Sequence, residues 1–468
     1  MKYNIIRILS LLLALQCMQI SFAQTELSLQ ECREKALSHN RTLSAAKTKL
    51  SQTEFDMKSY KANFFPQMSL MATDFYSSAS GNFTISGGHL PIYKYVEAAG
   101  QYVPDVTINP DGSYKFNSYA DFPDQKMDWK LKNVFVGAVQ LMQPIYSGGK
   151  ISTAYNMSKL GVSMATENIR LTESEVLVKT DEAYYLAIKA RELGGVARSY
   201  KTLLEELKKN VEAAFRHGLK TRNDIMKVQV KLNEAELSIQ KADNAYRLAL
   251  MNLCHIIGMP LDSEISVDAS AVSSVDGSSA GSSVADITAR PEYSILEKKT
   301  ELARQNIKLT KSSSLPTVVA GAAYTYANGG ELAGKRLIDN GSATVGVSVN
   351  VPISVFGGES NKVRSAKAAY QIAQLEQQDM NEKMQLELAQ SANAVSEAET
   401  ELALCETSLQ QAAENMKLSK QQYEVGFEPL SDYLETQALW QQANANLVQA
   451  RCQLQLAKIK YKKASGGM

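Results

Sequence analysis

Histidine, cysteine and tryptophan are scarce in this chain of 468 residues, with 4, 5 and 2 copies respectively, and their scarcity removes several classes of function. The four histidines, His39, His89, His217 and His255, stand at no metal-ligand interval from one another. No metal and no cofactor is therefore expected. After the N-terminal segment the cysteines are Cys32, Cys254, Cys405 and Cys452, isolated within helical patterns and without the spacing of a disulfide framework or a zinc site. Free, packed thiols are the expectation. No constellation of nucleophile, base and orienting group is visible, which argues against an enzyme. The stretch "SGGKIS" from Ser147 resembles a fragment of a phosphate loop, but the first glycine is missing at the required distance and Ile151 stands where Ser or Thr is needed. It reads as punctuation between a strand and a helix.

A charge surplus is missing as well. Lys and Arg number 50 against 49 Asp and Glu, so nothing calls for nucleic acid as a partner. Beyond the N-terminus there is also no apolar run of about 18 residues, so a transmembrane helix is not expected and any membrane crossing must use strands. The N-terminus itself carries Lys2 and Arg7, an apolar run from Ile8 to Ile20, and the small-residue pattern Ser21-Phe22-Ala23. Residues 1–23 therefore read as a secretory signal peptide.

What the chain does contain is repetition. At an offset of 208, Phe215 meets Tyr423, Gly218 meets Gly426, Asp224 meets Asp432 and Gln229 meets Gln437. After each glycine a 3,4 spacing of apolar residues sets in, as in Ile225, Val228, Leu232, Ala235 and Tyr433, Thr436, Trp440, Ala443. This is the seam of a coiled coil, and alternating large and small residues let a neighbouring helix approach closely. Upstream, "VGAVQLMQPIYSGGK" from Val136 resembles "VGVSVNVPISVFGGE" from Val345. Gly137 and Gly148 meet Gly346 and Gly357 at 209, whereas Pro144 and Pro352 meet at 208, which implies a one-residue slip. "FFPQMSLMATDFY" around Pro66 pairs with "SLPTVVAGAAYTY" around Pro316 at 250. The expected organisation is a first repeat over 24–258, a Ser/Gly-rich connector over 259–288 and a second repeat over 289–468. Each repeat reads as helix, strand, loop, strand, long helix, glycine turn and returning helix. The first carries about forty extra residues in its inter-strand loop, rich in Tyr, Gly, Asn and Asp.

Strands are expected at Gln67 to Tyr76, Asn133 to Gln143, Thr317 to Tyr326 and Ser342 to Val351. In the clearest, Val345, Val347, Val349 and Val351 point one way, while Gly346, Ser348 and Asn350 point the other. About ten residues suffice for a tilted strand to cross an outer membrane. Four strands cannot close a barrel, because single-chain barrels begin at about eight and an open edge in hydrocarbon leaves backbone groups unsatisfied. Copies of the chain would have to share one barrel. The helical stretch from Gly149 to Phe215 would extend roughly 100 Å at 1.5 Å per residue, far beyond a bilayer core of about 30 Å. Gly194-Gly195 within it predicts a local bend or a helix break. The leading helix is expected from Ser28 to Phe64.

The signal peptide, the duplicated pattern, the "PIYSGGK" and "PISVFGGE" turns, and the twin "FRHGLKTRNDI" and "YEVGFEPLSDY" turns together resemble the TolC-like outer membrane efflux proteins. That resemblance implies a membrane α+β fold: a homotrimer sharing a 12-stranded outer-membrane β-barrel, four strands per chain, that continues into a long periplasmic α-helical barrel. It also implies partners, namely a periplasmic membrane fusion (adaptor) protein and an inner-membrane pump, with outer membrane lipid around the strands. The channel would conduct substrates outward, in a tripartite efflux pump or a type I secretion system, without chemistry of its own. By the same resemblance the glycine turns are hairpin tips at the periplasmic entrance. Gly218, Leu219, Gly426 and Phe427 become candidates for adaptor docking, and Asp224, Asp432, Glu435 and Tyr423 candidates for the gate. A plainer reading of Asp224 and Asp432 is that they cap or charge a helix start. Glu428 stands where the family often has a basic residue. The rival architecture is a periplasmic coiled-coil adaptor without a channel.

Overall fold

A computed structural model describes residues 25–268, 286–353 and 356–468. The signal peptide and most of the connector lie outside the described residues. Strand β1 (Thr25–Leu27) leads into helices α1 (Leu29–His39) and α2 (Arg41–Ala62), then strands β2 (Gln67–Tyr76) and β3 (Ser80–Ile85). Six short strands follow: β4 (Gly88–Pro91), β5 (Tyr93–Val96), β6 (Gln101–Pro104), β7 (Val106–Ile108), β8 (Tyr114–Phe116) and β9 (Tyr119–Phe122). The long strand β10 (Gln125–Tyr146) precedes helices α3 (Lys150–Arg216) and α4 (Arg222–Ile257) and strand β11 (Ile265–Val267). The chain continues through α5 (Pro291–Ser312), β12 (Thr317–Leu332), β13 (Lys335–Asn350), α6 (Gly358–Glu424) and α7 (Leu430–Ala464).

The described residues within 25–57, 156–307 and 363–468 form one unit, almost wholly helical. One core gathers Cys32 and Ala36 of α1, Tyr184 and Ile188 of α3, Leu253 and Ile257 of α4, and β1 paired in parallel with β11. Each large apolar side chain buried there contributes about 1.5–3 kcal/mol. Polar groups reinforce it. The Tyr184 hydroxyl lies 3.1 Å from the carbonyl oxygens of Leu27 and Asp268. Asp181, with no exposed side-chain surface, accepts two hydrogen bonds of 2.7 Å from Arg33.

Two sequence expectations change here. The leading helix is broken at Asn40, whose backbone leaves the helical region (ψ 128°) and whose amide donates to the Ile256 carbonyl at 2.8 Å. The Asn40 side-chain oxygen accepts from the amides of Thr42 and Leu43, capping α2. Close packing against this break requires Gly258: a Cβ there would lie 2.6 Å from the His39 carbonyl oxygen. By contrast, α3 runs unbroken through Gly194 and Gly195, so the expected break does not occur. Among the described residues the four cysteines are unpaired; burial pushes the Cys32 thiol up to about 12, which leaves it protonated and inert.

Residues within 58–155 and 308–362 form the other unit, built on an antiparallel sheet in the order β13-β12-β10-β2, with β3 continuing along β10. Register assigns the faces. Val345 and Val347 stand beside Ala322 and Ala320, Leu141 lies beside Ala322, and Met68 and Leu70 lie beside Leu141 and Val139. This face is apolar and open, with Val345 83% and Leu70 77% exposed. The other face carries Thr344, Ser348 and Asn350, together with Gln140, Ser69 and Thr73. Strands β10, β12 and β13, of 22, 16 and 16 residues, extend past the stretches read from the sequence, because pairing continues where apolar alternation has ended. Among the described residues β13 pairs only with β12, and β2 only with β10.

The slip inferred from the glycines disappears. Gly137 lies on the valine face and Gly346 on the opposite one, so they are not equivalent. Instead Gly148 and Phe356 have φ of +61° and +46°, Gly149 and Gly357 both have +81°, and α3 and α6 begin at Lys150 and Gly358. Phe356 therefore occupies the backbone place of Gly148. The long inter-strand loop is itself folded into hairpins β4–β9, β5–β6 and β7–β8. Asp105, between β6 and β7, ties two of them together: its carboxylate accepts from Lys94 of β5 at 2.9 Å and from Asn117, just after β8, at 3.1 Å.

Candidate functional site

Helices α3 and α6 each end in a glycine with left-handed backbone, Gly218 at φ +76° and Gly426 at +84°. Each lets the chain reverse into α4 or α7 without the strain a Cβ would bring. The two hairpins share a core of Tyr200, Leu204, Leu207, Val228, Leu430 and Leu434. Their apices are apolar and open, with Leu219 77%, Val425 67% and Phe427 87% exposed.

Tyr423 joins the hairpins. Its ring stacks on Tyr433 at 4.9 Å between centroids and 14° between planes, and the ammonium of Lys220, from the other hairpin, lies 4.7 Å from its centroid. Burial, and secondarily the nearby Asp224 charge, raises the Tyr423 phenol above its ordinary value, so it stays neutral at physiological pH. Tyr433 is the first residue of the apolar seam read in the second repeat, but Lys220 carries no sequence signal. Its contact with Tyr423 joins separate hairpins, which no local spacing announces, whereas Tyr433 lies across the turn from Tyr423 in the same hairpin.

Asp224 is the third residue of a capping box. It accepts from the Thr221 amide at 2.9 Å and hydroxyl at 2.7 Å, while its own amide donates to the Thr221 hydroxyl at 3.3 Å. The backbone hydrogen bond from Thr221, then its hydroxyl, holds the carboxyl below its ordinary value. Asp432 and Glu435 are exposed on α7, with Asp432 accepting from the Ser431 hydroxyl at 2.8 Å. Glu435 lines a groove of about 570 Å³ with Met226, Val230, Ser431, Leu434 and Ala438. A second groove, of about 560 Å³, is lined by Leu203, Asn210, Leu219, Lys220, Tyr423 and Val425. Glu428 turns back on its own hairpin and accepts from the Ser419 hydroxyl at 2.6 Å. The six gate and tip residues other than Asp432 and Glu435 thus cluster about the two turns, whereas those two carboxylates occupy the first turn and a half of α7. Among the described residues no group of three or more His, Cys, Asp or Glu side chains is placed to hold a metal ion, and no helix is long and apolar enough to cross a membrane.

Residues 32–259 and 289–467 match the sequence profile of the outer membrane efflux proteins. The chain belongs to the outer membrane efflux protein family. This efflux protein is 21% identical over 330 residues to the outer membrane efflux protein BepC of Brucella suis, spanning 70% of this chain and 72% of that one. It is 19% identical to the outer membrane protein TolC of Vibrio cholerae over 63% of this chain and 68% of the other. Its fold matches the Campylobacter jejuni CmeC outer membrane channel with a TM-score of 0.70 at 16% identity, covering 94% of this chain and 85% of CmeC. The efflux protein is accordingly an outer membrane channel, with its helical portion on the periplasmic side. The coiled-coil adaptor reading is set aside.

Proposed function

We propose that three copies of this efflux protein share one 12-stranded barrel, each giving β2, β10, β12 and β13, and that two duplicated halves per chain continue as a periplasmic helical tube. The observation that carries this is the sheet with an open apolar face and two unpaired edges. In lipid each unsatisfied backbone group costs several kcal/mol, so such edges must find partners. A head-to-tail contact, β13 of one copy on β2 of the next, closes into a ring when the rotation allows it. The edges also match in length: β13 has 16 residues, and β2 and β3 have 10 and 6. The halves agree in that α3 and α6 are both 67 residues long and both end in a glycine turn. At 1.5 Å per residue each spans about 100 Å, three times a bilayer core.

At the far end the six hairpin tips of a trimer form the entrance. The apolar apices at Leu219 and Phe427 are surfaces for a periplasmic adaptor, which links the channel to an inner-membrane pump of an efflux or type I secretion system. Asp432 and Glu435, repeated by threefold symmetry, form carboxylate rings that favour cations at the entrance. Asp224 serves its helix as a cap and reaches the gate only through that role. Fractionation tests the reading: an oligomer in the outer membrane, three chains by mass and dissociated by heat, is expected. A soluble monomer would contradict it.

A further inference from the structure

The turn between β10 and α3 sits against the junction that precedes β12. A Cβ on Gly148 would lie 2.7 Å from the Leu315 Cβ and 2.9 Å from the Ser312 carbonyl oxygen, so this turn admits only a residue without a side chain. The turn between β13 and α6 has the same left-handed backbone, yet its first position is Phe356. Left-handed φ is an outlier for a bulky residue, and strain of this kind persists only where the surroundings hold it. Among the described residues nothing does, because the Phe356 side chain is 102% exposed.

The repeat says what faces that turn. Ser312 to Leu315, ahead of Pro316, has its counterpart in Ala62 to Phe65, ahead of Pro66. That counterpart opens β2, at the edge of the sheet opposite β13. Phe65 is 59% exposed there. We propose that Phe356 of each copy packs against Phe65 of the next copy, making across the subunit boundary the contact that Gly148 and Leu315 make within the chain. The proposal rests on the shared barrel described above and adds a residue-level partner to it. Because Gly148 leaves no room for a Cβ whereas Phe356 carries a ring, the inter-subunit junction is wider than the intra-chain one and the ring fills the difference. The same correspondence converts the observed pairing of Gln140 with Ala323 into Ser348 opposite Thr73 between copies.

Cysteine pairs in the full-length protein, oxidised in outer membrane vesicles with copper phenanthroline, test the contact. Phe65→Cys with Phe356→Cys, and Thr73→Cys with Ser348→Cys, should each give covalent dimers and trimers on non-reducing gels, and no single variant should. If only the strand pair cross-links, the barrel stands and the aromatic contact is refuted. If neither does, the shared barrel itself fails, and the contact with it. Phe356→Gly supplies a second readout. Glycine relieves the backbone strain, so a purely intra-chain role predicts an oligomer as heat-resistant as the parent or more so. Loss of the inter-subunit ring predicts dissociation at lower temperature on semi-native gels; an unchanged or higher temperature overturns the proposal.

Discussion

Replacing Tyr423 by Leu tests the aromatic latch at the tips, because Leu keeps an apolar side chain while removing the stack on Tyr433 within its own hairpin and the face offered to Lys220 of the other. An aromatic pair is worth about 0.5–1.5 kcal/mol beyond its buried area, and a cation over a ring about 0.5–1 kcal/mol at an exposed site. Local opening of the tip that breaks both contacts is therefore favoured by about 1–2.5 kcal/mol per chain, or about 5- to 60-fold at tenfold per 1.4 kcal/mol. Amide hydrogen exchange in the first turns of α4 and α7 reads this directly, since local opening sets the rate. Exchange should accelerate by that factor in Tyr423→Leu and remain at the parent rate in Tyr423→Phe, which keeps the ring. In planar bilayers the Leu variant should also spend more time in open states. Parental exchange and currents in Tyr423→Leu would refute the latch.

Asp224→Ala removes the capping box and should cost about 1 kcal/mol, speeding exchange at the start of α4 about fivefold at neutral pH. Because its folded pKa is depressed, this stabilisation is present above the ordinary value of 3.8 and fades as pH falls through the folded value, so parent and variant should converge in acid. Replacing Asp432 and Glu435 together by Ala should raise conductance or weaken block by divalent cations several-fold, measured on single channels; unchanged current and block would remove both from the gate. Arg33→Ala leaves the buried Asp181 carboxylate unpaired and should cost about 3 kcal/mol, read as a lower melting temperature that the added change Asp181→Leu largely restores.

Much of this architecture could be read in the sequence because it rests on short-period signals. The alternation from Val345 to Val351 assigns a strand with one apolar face, and the glycines at 218 and 426 mark reversals that only left-handed backbone permits. What escaped was set by contacts between distant segments. Asn40 looks like an ordinary helical position until its amide meets the Ile256 carbonyl. The glycine pairs misled, since matching letters placed Gly148 on Gly357 while backbone geometry places Phe356 there. The hairpins between Gly88 and Phe122 lack alternation, being exposed on both faces, and so resemble a loop. At the tip, Tyr423 was legible as a candidate, but its partner Lys220 becomes a neighbour only once two hairpins pack together. Asp224 was open to two readings, and its hydrogen bonds to Thr221 favour the capping one.

A density map of the purified assembly in lipid offers the most direct test of the central claim, that one polypeptide supplies only a third of the membrane cylinder. Twelve strands closed into a ring are expected, with β13 of every copy hydrogen-bonded to β2 of its neighbour and Ser348 opposite Thr73. A map in which those two edges remain unpaired, or in which a single chain encloses no continuous bore with its copies, would contradict the account.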